Sequence, residues 1–274
     1  MKVAIRVLIR KWILVLGCLC SFEVTAVEVQ GLYNVELVVK SQSADDRVLA
    51  LKQALYAVLN RVVVADNIAQ LPVVQNMLQN PGNYLKQFRY ADLSADQQEL
   101  NTLQGPRKMN IEFDEEQILK ALQGGQVAIW DEVRPATLLW IVVNEDGEQQ
   151  FYNSDMMPNF EAELALASKV KGLPFIYPLL DLDEQQQLSV TNLTRLDAQT
   201  IIKLSSRYEA ISVAVISLTK HDNCWQGSWR LYFDGQKTDW SGVCQPLRLS
   251  MLAGADKVYQ LLSNYYAARP SARH

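Results

Sequence analysis

Residues 137–143 read Thr-Leu-Leu-Trp-Ile-Val-Val, an uninterrupted apolar run that predicts a strand at the centre of a sheet. A helical pattern follows at residues 159–171. Two further apolar strands are predicted at 175–180 and 211–218, with a helix at 197–208 between them. Strands that alternate with helices are typical of crossover connections. This part of the chain therefore predicts an α/β unit with a partly parallel sheet of three strands.

An antiparallel hairpin is predicted directly after the third strand. Its strands cover residues 224–233 and 238–244, and Asp234-Gly235 between them favours a tight turn. A last amphipathic helix is predicted over residues 250–267. Together these elements form a C-terminal α/β unit that we place at residues 126–268.

The residues before this unit predict a separate α+β unit at 27–125. Apolar and polar residues alternate from Val27 to Val39, which is typical of a half-buried strand, and apolar residues recur at helical spacing over 44–64. The other predicted elements are a helix at 68–78, strands at 84–93 and 98–113, and a helix at 114–124. The predicted fold class is accordingly mixed, α+β followed by α/β.

The first 26 residues have the features of a secretory signal peptide. Basic residues precede a short apolar run at 12–20, and small residues before position 27 predict cleavage after Ala26. The apolar run is shorter than the roughly 20 residues of a transmembrane helix. An uncleaved anchor and lipidation at Cys18 are the alternatives. We therefore expect a periplasmic protein that keeps no membrane span after cleavage and ends in a mobile tail at 269–274.

The charge balance bears on the class of partner. The full chain has 26 basic and 30 acidic residues, and removal of residues 1–26 leaves 22 basic and 29 acidic residues. Nucleic-acid binding depends on neutralising phosphates, and an acidic chain is repelled by anionic lipid surfaces. The expected partner is therefore an envelope protein or a cell-wall component, with no nucleic acid. The oligomeric state is left open.

Two cysteines remain beyond the leader, Cys224 and Cys244, at the open end of the predicted hairpin. Exported proteins meet an oxidising environment, so we predict a disulfide between them. The alternative is a pair of buried thiols, because a slip of one residue in the strand register would turn the two side chains to opposite faces.

The inventory of chemically reactive residues is small. The chain contains His221 and His274 as its only histidines, and no spacing typical of a zinc site or a phosphate-binding loop. No cofactor or metal is predicted. One carboxylate pair, Asp181 and Asp183, follows the predicted strand at 175–180 and would share a side if that strand continued. Such a pair is the basis for an alternative function, a carboxylate-dependent hydrolase or a cation-dependent enzyme.

Aromatic residues suggest two candidate surfaces. The hairpin carries Trp225, Trp229 and Trp240, which predict either cross-strand packing against the last helix or a platform for a glycan or another small ligand. On the last helix, Tyr259 and Tyr266 lie beside Leu262 and away from the predicted core stripe. Exposed tyrosines are common at interfaces, so these residues are candidates for a partner-binding surface.

Several segments together resemble one known family. They are Trp130, residues 134–140 (Arg-Pro-Ala-Thr-Leu-Leu-Trp), 172–181 (from Gly-Leu-Pro to Leu-Leu-Asp) and 225–229 (Trp-Gln-Gly-Ser-Trp). The chain resembles the exported proteobacterial family called domain of unknown function 2066, which has no established activity and so implies no catalytic residue. The second unit is also similar, in element order, to the α/β domain shared by the TolB N-terminal region, curli-secretion lipoproteins and lipoprotein activators of peptidoglycan synthases. That resemblance implies a non-enzymatic envelope adaptor or assembly factor.

Overall fold

The computed structural model describes residues 26–93, 107–155, 157–193 and 196–267 of the chain. Within these residues the fold is mixed α and β, as predicted, and its strands form sheets of two, three and six strands. The strands are β1 (Ala26–Glu28), β2 (Asn34–Val39), β3 (Leu85–Ala91), β4 (Arg107–Phe113), β5 (Val133–Pro135), β6 (Thr137–Glu145), β7 (Glu148–Phe151), β8 (Phe175–Ile176), β9 (Ser212–His221), β10 (Cys224–Phe233) and β11 (Gln236–Ser241). The α-helices are α1 (Ala44–Val62), α2 (Pro72–Gln79), α3 (Glu115–Gly124), α4 (Pro158–Lys171), α5 (Leu182–Gln187), α6 (Ala198–Ser205) and α7 (Leu247–Ala267).

The three-stranded sheet has the antiparallel order β2-β4-β3. Its alternating sequence turns one face, including Val35, Ile111 and Phe113, onto the apolar side of helix α1. Helix α1 begins at an N-cap, where the Ser43 side chain accepts a hydrogen bond from the main-chain nitrogen of Asp46. The other face of this sheet carries mainly polar residues.

The alternating run at 27–39 is two strands and not the single strand that we predicted. The chain turns at Gly31, whose φ of +75° favours glycine, and the main-chain nitrogen of Asn34 donates to the carbonyl of Gly31. Strand β1 therefore leaves the three-stranded sheet and pairs with β5, with Val27 opposite Arg134. Alternation predicted the strand character of both halves, but it contains no information about the turn.

The six-stranded sheet has the order β11-β10-β9-β6-β7, with the short strand β8 also paired to β6. Strand β6 runs parallel to β8 and β9, and β10 and β11 extend the sheet in antiparallel fashion. Helices α4 and α7 cover one face, where Leu139 and Ile216 lie in the core. Helix α6 packs through Ile201 on the other face. The partly parallel sheet with a terminal hairpin was predicted.

Two elements of the second half differ from prediction. The apolar run at 175–180 forms a strand only at Phe175–Ile176, and the chain continues as helix α5 at residues 182–187. The polar break after β6 is a hairpin turn at Asp146-Gly147, where both residues have positive φ, and it returns the chain as β7. Strand β7 was not predicted, because its sequence, Glu-Gln-Gln-Phe, lacks the alternation of apolar and polar residues that is typical of a strand.

The predicted signal peptide, apart from Ala26, and the predicted C-terminal tail lie outside the residues that the structure describes. The leader up to residue 25, with Cys18, lies outside the described residues, as do residues 268–274. Among the helices of the described segments, none is long and apolar enough to cross a membrane. The boundary predicted at residue 125 stays a prediction.

Candidate binding cleft

A cleft of about 780 Å3 lies between the polar face of the three-stranded sheet and helix α4. Residues of β2, β3 and β4 form one wall, and Ala165, Ser168 and Lys169 of α4 line the other. The turn at residues 30–32 closes one side. Ligand sites in proteins commonly have volumes of about 300–1,000 Å3, so this cleft has room for a ligand or for a segment of another chain.

The sheet wall presents two rows of polar side chains that cross all three strands. Because side chains alternate between the faces of a strand, residues aligned across the sheet share one face. The first row is Asn34, Glu112 and Gln87, and the second is Glu36, Asn110 and Arg89. Amides, carboxylates and a guanidinium thus face α4 across the cleft.

Both carboxylates of this wall already have a basic partner. Glu36 is 2.7 Å from the Nζ atom of Lys108, and Glu112 is 2.7 Å from the Nζ atom of Lys86. The hydrogen bond from Lys86 is the main reason that the pKa of Glu112 is lowered from its ordinary value, and the nearby charge of Arg89 contributes. Glu112 therefore favours its ionised form, and each of the two carboxylates of the wall forms an ion pair with a lysine.

Arg61 of helix α1 lines the floor of the cleft and is only 5% exposed. Its Nη1 atom donates to the carbonyl oxygens of Leu32 and Asn34, both at 2.8 Å. Its Nε atom is buried and has no acceptor among the described residues. Burial lowers the pKa of Arg61 to about 10, so the side chain is still a cation at neutral pH.

A second buried arginine, Arg134, is fully enclosed and cross-links the structure behind the cleft. Its guanidinium makes five hydrogen bonds of 2.6–3.0 Å, to the main-chain oxygens of Arg61, Trp130, Asp131, Lys171 and Gly172. Those of Arg61 and Lys171 belong to the last turns of α1 and α4, where the helix dipole is negative. Two helix ends thus stabilise this cation, although burial lowers its pKa to about 10.

The end of α4 can approach Arg134 because the next residue is a glycine. Gly172 has a φ of +61°, and a Cβ atom at this position would lie 2.5 Å from Leu32 Cδ2 and 2.9 Å from Arg134 Nη1. A larger residue would push α4 away from the turn at 30–32. Gly172 therefore sets the distance between the two walls at this end of the cleft.

The predicted carboxylate pair is not assembled. Asp181 is the N-cap of helix α5: it accepts a hydrogen bond from Glu184 N at 3.0 Å and pairs with Arg207 at 2.7 Å. These two bonds lower its pKa from the ordinary value. Asp183 is an exposed residue of the first helical turn. The prediction that both lie on one side of a continuing strand is wrong, because the chain turns into a helix at residue 181.

The hairpin tryptophans differ in exposure. Trp229 is 4% exposed and stacks on Trp240 with ring centroids 5.8 Å apart, while Trp225 packs edge-on against Phe160. The rings of Trp225 and Trp240 are partly buried and pack against the core formed with α7. The geometry is that of cross-strand packing, which was one of the two predicted roles of these residues. A role of the partly buried Trp225 and Trp240 in binding a glycan or another small ligand stays a prediction.

The predicted tyrosine surface on the last helix is wrong for two of its three residues. Leu262 is fully buried and Tyr259 is 5% exposed. The Tyr259 hydroxyl donates to the carbonyl oxygens of Arg61 and Val63, at 2.9 and 3.1 Å. Tyr266 is partly buried and stacks on Trp130 with centroids 6.0 Å apart. Helical spacing placed Tyr259 outside the core, but the end of α1 covers that side of α7.

Cys224 and Cys244 form a disulfide, with their Cα atoms 5.4 Å apart. The bond closes the open end of the β10–β11 hairpin, next to the antiparallel bridge between Trp225 and Gln245. The register therefore turns both cysteines to the same side, and the alternative of two separate thiols is wrong.

Sequence reasoning missed Arg61, the cation at the floor of the cleft, and Arg134, the cation behind it. One signal was available for Arg61, because it lies three positions after Val58 on the apolar stripe of α1, where a charged residue is unusual. Arg134 stands directly before the apolar run, and its position there did not indicate burial. In the portions of the chain that the structure describes, no group of three or more metal-ligating residues occurs.

Comparisons with known proteins add little about function. A family model described as a domain of unknown function (DUF8605) matches residues 26–131, less than half of the chain. The name predicted from the sequence, domain of unknown function 2066, is thus not confirmed. No curated protein matches the chain.

Solved structures with partial similarity include the LpoB C-terminal domain from Salmonella enterica. It has 16% identity and a TM-score of 0.27, and the match covers 40% of this chain and 82% of that one. A competence-damaged protein (CinA) superfamily member from Escherichia coli has 11% identity and a TM-score of 0.25, over 54% of this chain and 86% of its own. A competence or damage-inducible protein from Enterobacter asburiae has 10% identity and a TM-score of 0.23, over 49% and 86%. These scores are too low to bear on function.

Proposed function

We propose that this chain is a non-catalytic binding module of the cell envelope, which holds an extended segment of a partner polypeptide in the cleft. The observation that carries the proposal is the polar face of the three-stranded sheet. This face and α4 line a cleft of about 780 Å3, and Asn34, Gln87 and Arg89 on the face are exposed. A sheet face left open beside a second wall is suited to receiving another chain.

The position of strand β2 favours a polypeptide as the occupant. Strand β2 is an edge of its sheet, and residues 34–36 of this strand line the cleft. Main-chain groups on the free side of an edge strand can pair with an added strand. The amide side chains of Asn34, Gln87 and Asn110 can in addition donate to and accept from a peptide backbone.

The compartment is inferred from two features of the chain. The leader-like sequence at residues 1–26 predicts export. The disulfide between Cys224 and Cys244 is typical of proteins that fold in an oxidising environment. We therefore infer that the partner is another exported or envelope-anchored protein.

The hydrogen bonds behind the cleft support a binding role over a catalytic one. Arg134 and the Tyr259 hydroxyl both bond to the carbonyl of Arg61, so the helix that carries Arg61 is held at its end by residues from distant parts of the chain. The alternative of a carboxylate-dependent enzyme has no comparable support, because Asp181 caps helix α5 and Asp183 is an exposed residue of its first turn. A preorganised cleft lowers the entropy that is lost on binding.

The test is site-specific photocrosslinking in cells from both walls of the cleft. A photoreactive residue replaces exposed Gln87 on the sheet wall or Ala165 on α4, and Gln199 on α6 is the control because α6 covers the opposite face of the large sheet. We expect the same exported polypeptide to be captured from positions 87 and 165 and not from 199.

A blocking variant makes this result specific to the cleft. We expect Ala165→Trp to abolish capture from position 87 without lowering the melting temperature, since Ala165 is exposed. Equal capture from position 199, or undiminished capture in the blocked variant, would remove the cleft as the binding site. Turnover of a cell-wall substrate by the purified protein would overturn the non-catalytic assignment.

A further inference from the structure

We propose that the segment held in this cleft is acidic and that its carboxylates bind to Arg61 at the floor and to Arg89 and Lys169 on the facing walls. The inference rests on the proposed function, because it specifies the chemistry of the same occupant. It follows from the distribution of charge around the cleft.

The floor of the cleft contains a cation that lacks an anion. No carboxylate of the described residues lies within 4.0 Å of the Arg61 guanidinium. Its Nη1 edge is occupied by the carbonyls of Leu32 and Asn34, whereas Nε has no acceptor. A buried donor without a partner costs about 1–3 kcal/mol, and a charged one costs more. A ligand carboxylate at this edge would relieve that cost, and arginine binds carboxylates through two parallel hydrogen bonds.

The remaining charges of the lining also leave a positive excess. Its two acidic residues, Glu36 and Glu112, are each paired with a lysine that does not line the cleft. Arg89 on the sheet wall and Lys169 on α4 have no ion-pair partner within the described segments. An incoming anion would therefore find cations on three sides and no unpaired carboxylate.

This local excess contrasts with the rest of the molecule, since the chain as a whole has more acidic than basic residues. An acidic partner would be repelled by most of the surface and attracted to the cleft. Such complementarity favours specific placement and a fast association rate more than raw affinity. The charge pattern thus selects an acidic segment over a basic or neutral one.

The experiment measures binding of a dye-labelled peptide of alternating Ser and Glu residues by fluorescence anisotropy. Its counterpart has Gln in place of every Glu. We expect the acidic peptide to bind, the Gln peptide not to bind, and the affinity to fall as salt is added. Binding of the two peptides with equal affinity would overturn the inference.

Charge reversal locates the interaction. We expect the double variant Arg89→Glu with Lys169→Glu to weaken binding of the acidic peptide by about tenfold or more. The matched control is Lys52→Glu with Lys203→Glu, which makes the same net change at exposed lysines outside the cleft lining. If the control weakens binding as much as the cleft variant, the site is not the cleft.

The role of Arg61 is followed in the wild-type protein, because replacing this buried residue risks unfolding. The NMR signal of its Nε–H group should shift on saturation with the acidic peptide and stay unchanged with the Gln peptide. An unchanged signal at saturation removes Arg61 from the site.

Failure of this inference can be told apart from failure of the proposed function. If the acidic peptide does not bind but crosslinking from Gln87 and Ala165 still captures one polypeptide, the cleft binds a partner by other chemistry. If crosslinking is also lost, the proposed function itself is wrong. Preferential binding of an acidic polysaccharide over the acidic peptide would likewise reject a polypeptide occupant.

Discussion

The Nη2 atom of Arg134 donates a hydrogen bond of 2.6 Å to the main-chain oxygen of Arg61, so one buried arginine caps the helix that carries the other. The two residues are 73 positions apart in the chain. The same guanidinium holds the end of α4 through Lys171 and Gly172. A single side chain therefore connects the floor of the cleft to the helix that forms its second wall.

This arrangement predicts that Arg134→Lys is strongly destabilising. A lysine has three donors on one atom and cannot reach five carbonyls, so buried acceptors are left without partners. We expect the free energy of unfolding in urea to fall by about 3 kcal/mol or more. The matched control is Arg248→Lys, where the side chain is 62% exposed and pairs with Glu163, and a loss below about 1 kcal/mol is expected. Equal losses in the two variants would contradict the capping role.

A second prediction concerns the contact between helix α7 and the hairpin. A Cβ atom at Gly254 would lie 2.0 Å from Cζ2 of Trp229, whose ring is buried in the core that this helix covers. Gly254→Ala should therefore lower the free energy of unfolding by about 1–3 kcal/mol and change the near-ultraviolet circular dichroism of tryptophan. Gly124→Ala is the control, because nothing lies within 4 Å of a Cβ atom there. That variant should be neutral or stabilising, since alanine favours the helix.

The disulfide is expected to contribute substantially to stability. Cys224 and Cys244 are 20 positions apart, and a bond that closes a loop of this length stabilises by about 3 kcal/mol through the unfolded state. Dithiothreitol should lower the melting temperature of the wild-type protein. The double variant Cys224→Ala with Cys244→Ala should already melt at the lower temperature and should not respond to the reductant. A wild-type melting temperature that dithiothreitol leaves unchanged would contradict this expectation.

The cap at Asp181 predicts a dependence of stability on acid pH. The hydrogen bond from Glu184 N, followed by the bond from Arg207, lowers the pKa of Asp181 below its ordinary value of 3.8. A lowered pKa in the folded state stabilises the protein above the unfolded value, and this contribution is lost as pH falls through the folded value. Asp181→Asn should therefore be less stable than wild type at pH 6, and the difference should shrink below about pH 4.

The control for this experiment is Asp183→Asn, which removes the same charge from the same helix but from a side chain that makes neither bond. We expect this variant to lose less unfolding free energy at pH 6 than Asp181→Asn does, because both bonds of Asp181 are kept. A difference for Asp181→Asn that stays constant from pH 6 to pH 2 would show that the ionised cap is not its cause.

Most of the individual elements were predictable because their signals are local. The apolar run of β6, the helical spacing of α1 and the Asp234-Gly235 turn each depend on residues a few positions apart. Such patterns report which side of an element prefers to be buried. They predicted the mixed fold class and the position of the disulfide, which follows from the register of one hairpin.

Only the tertiary structure decided which strands and helices each element packs against. The sequence by itself determined that Asp181 follows an apolar run. It predicted one extended segment at 27–39 and placed Tyr259 off the core stripe of its helix, whereas the chain turns at Gly31 and Tyr259 is buried. It could not show that β1 leaves to pair with β5, that Asp181 begins a helix, or that the end of α1 buries Tyr259. The cleft and its arginines depend in the same way on carbonyls from segments far apart in the chain. Local periodicity contains no information about such partners, because they are set by how the sheets and helices pack.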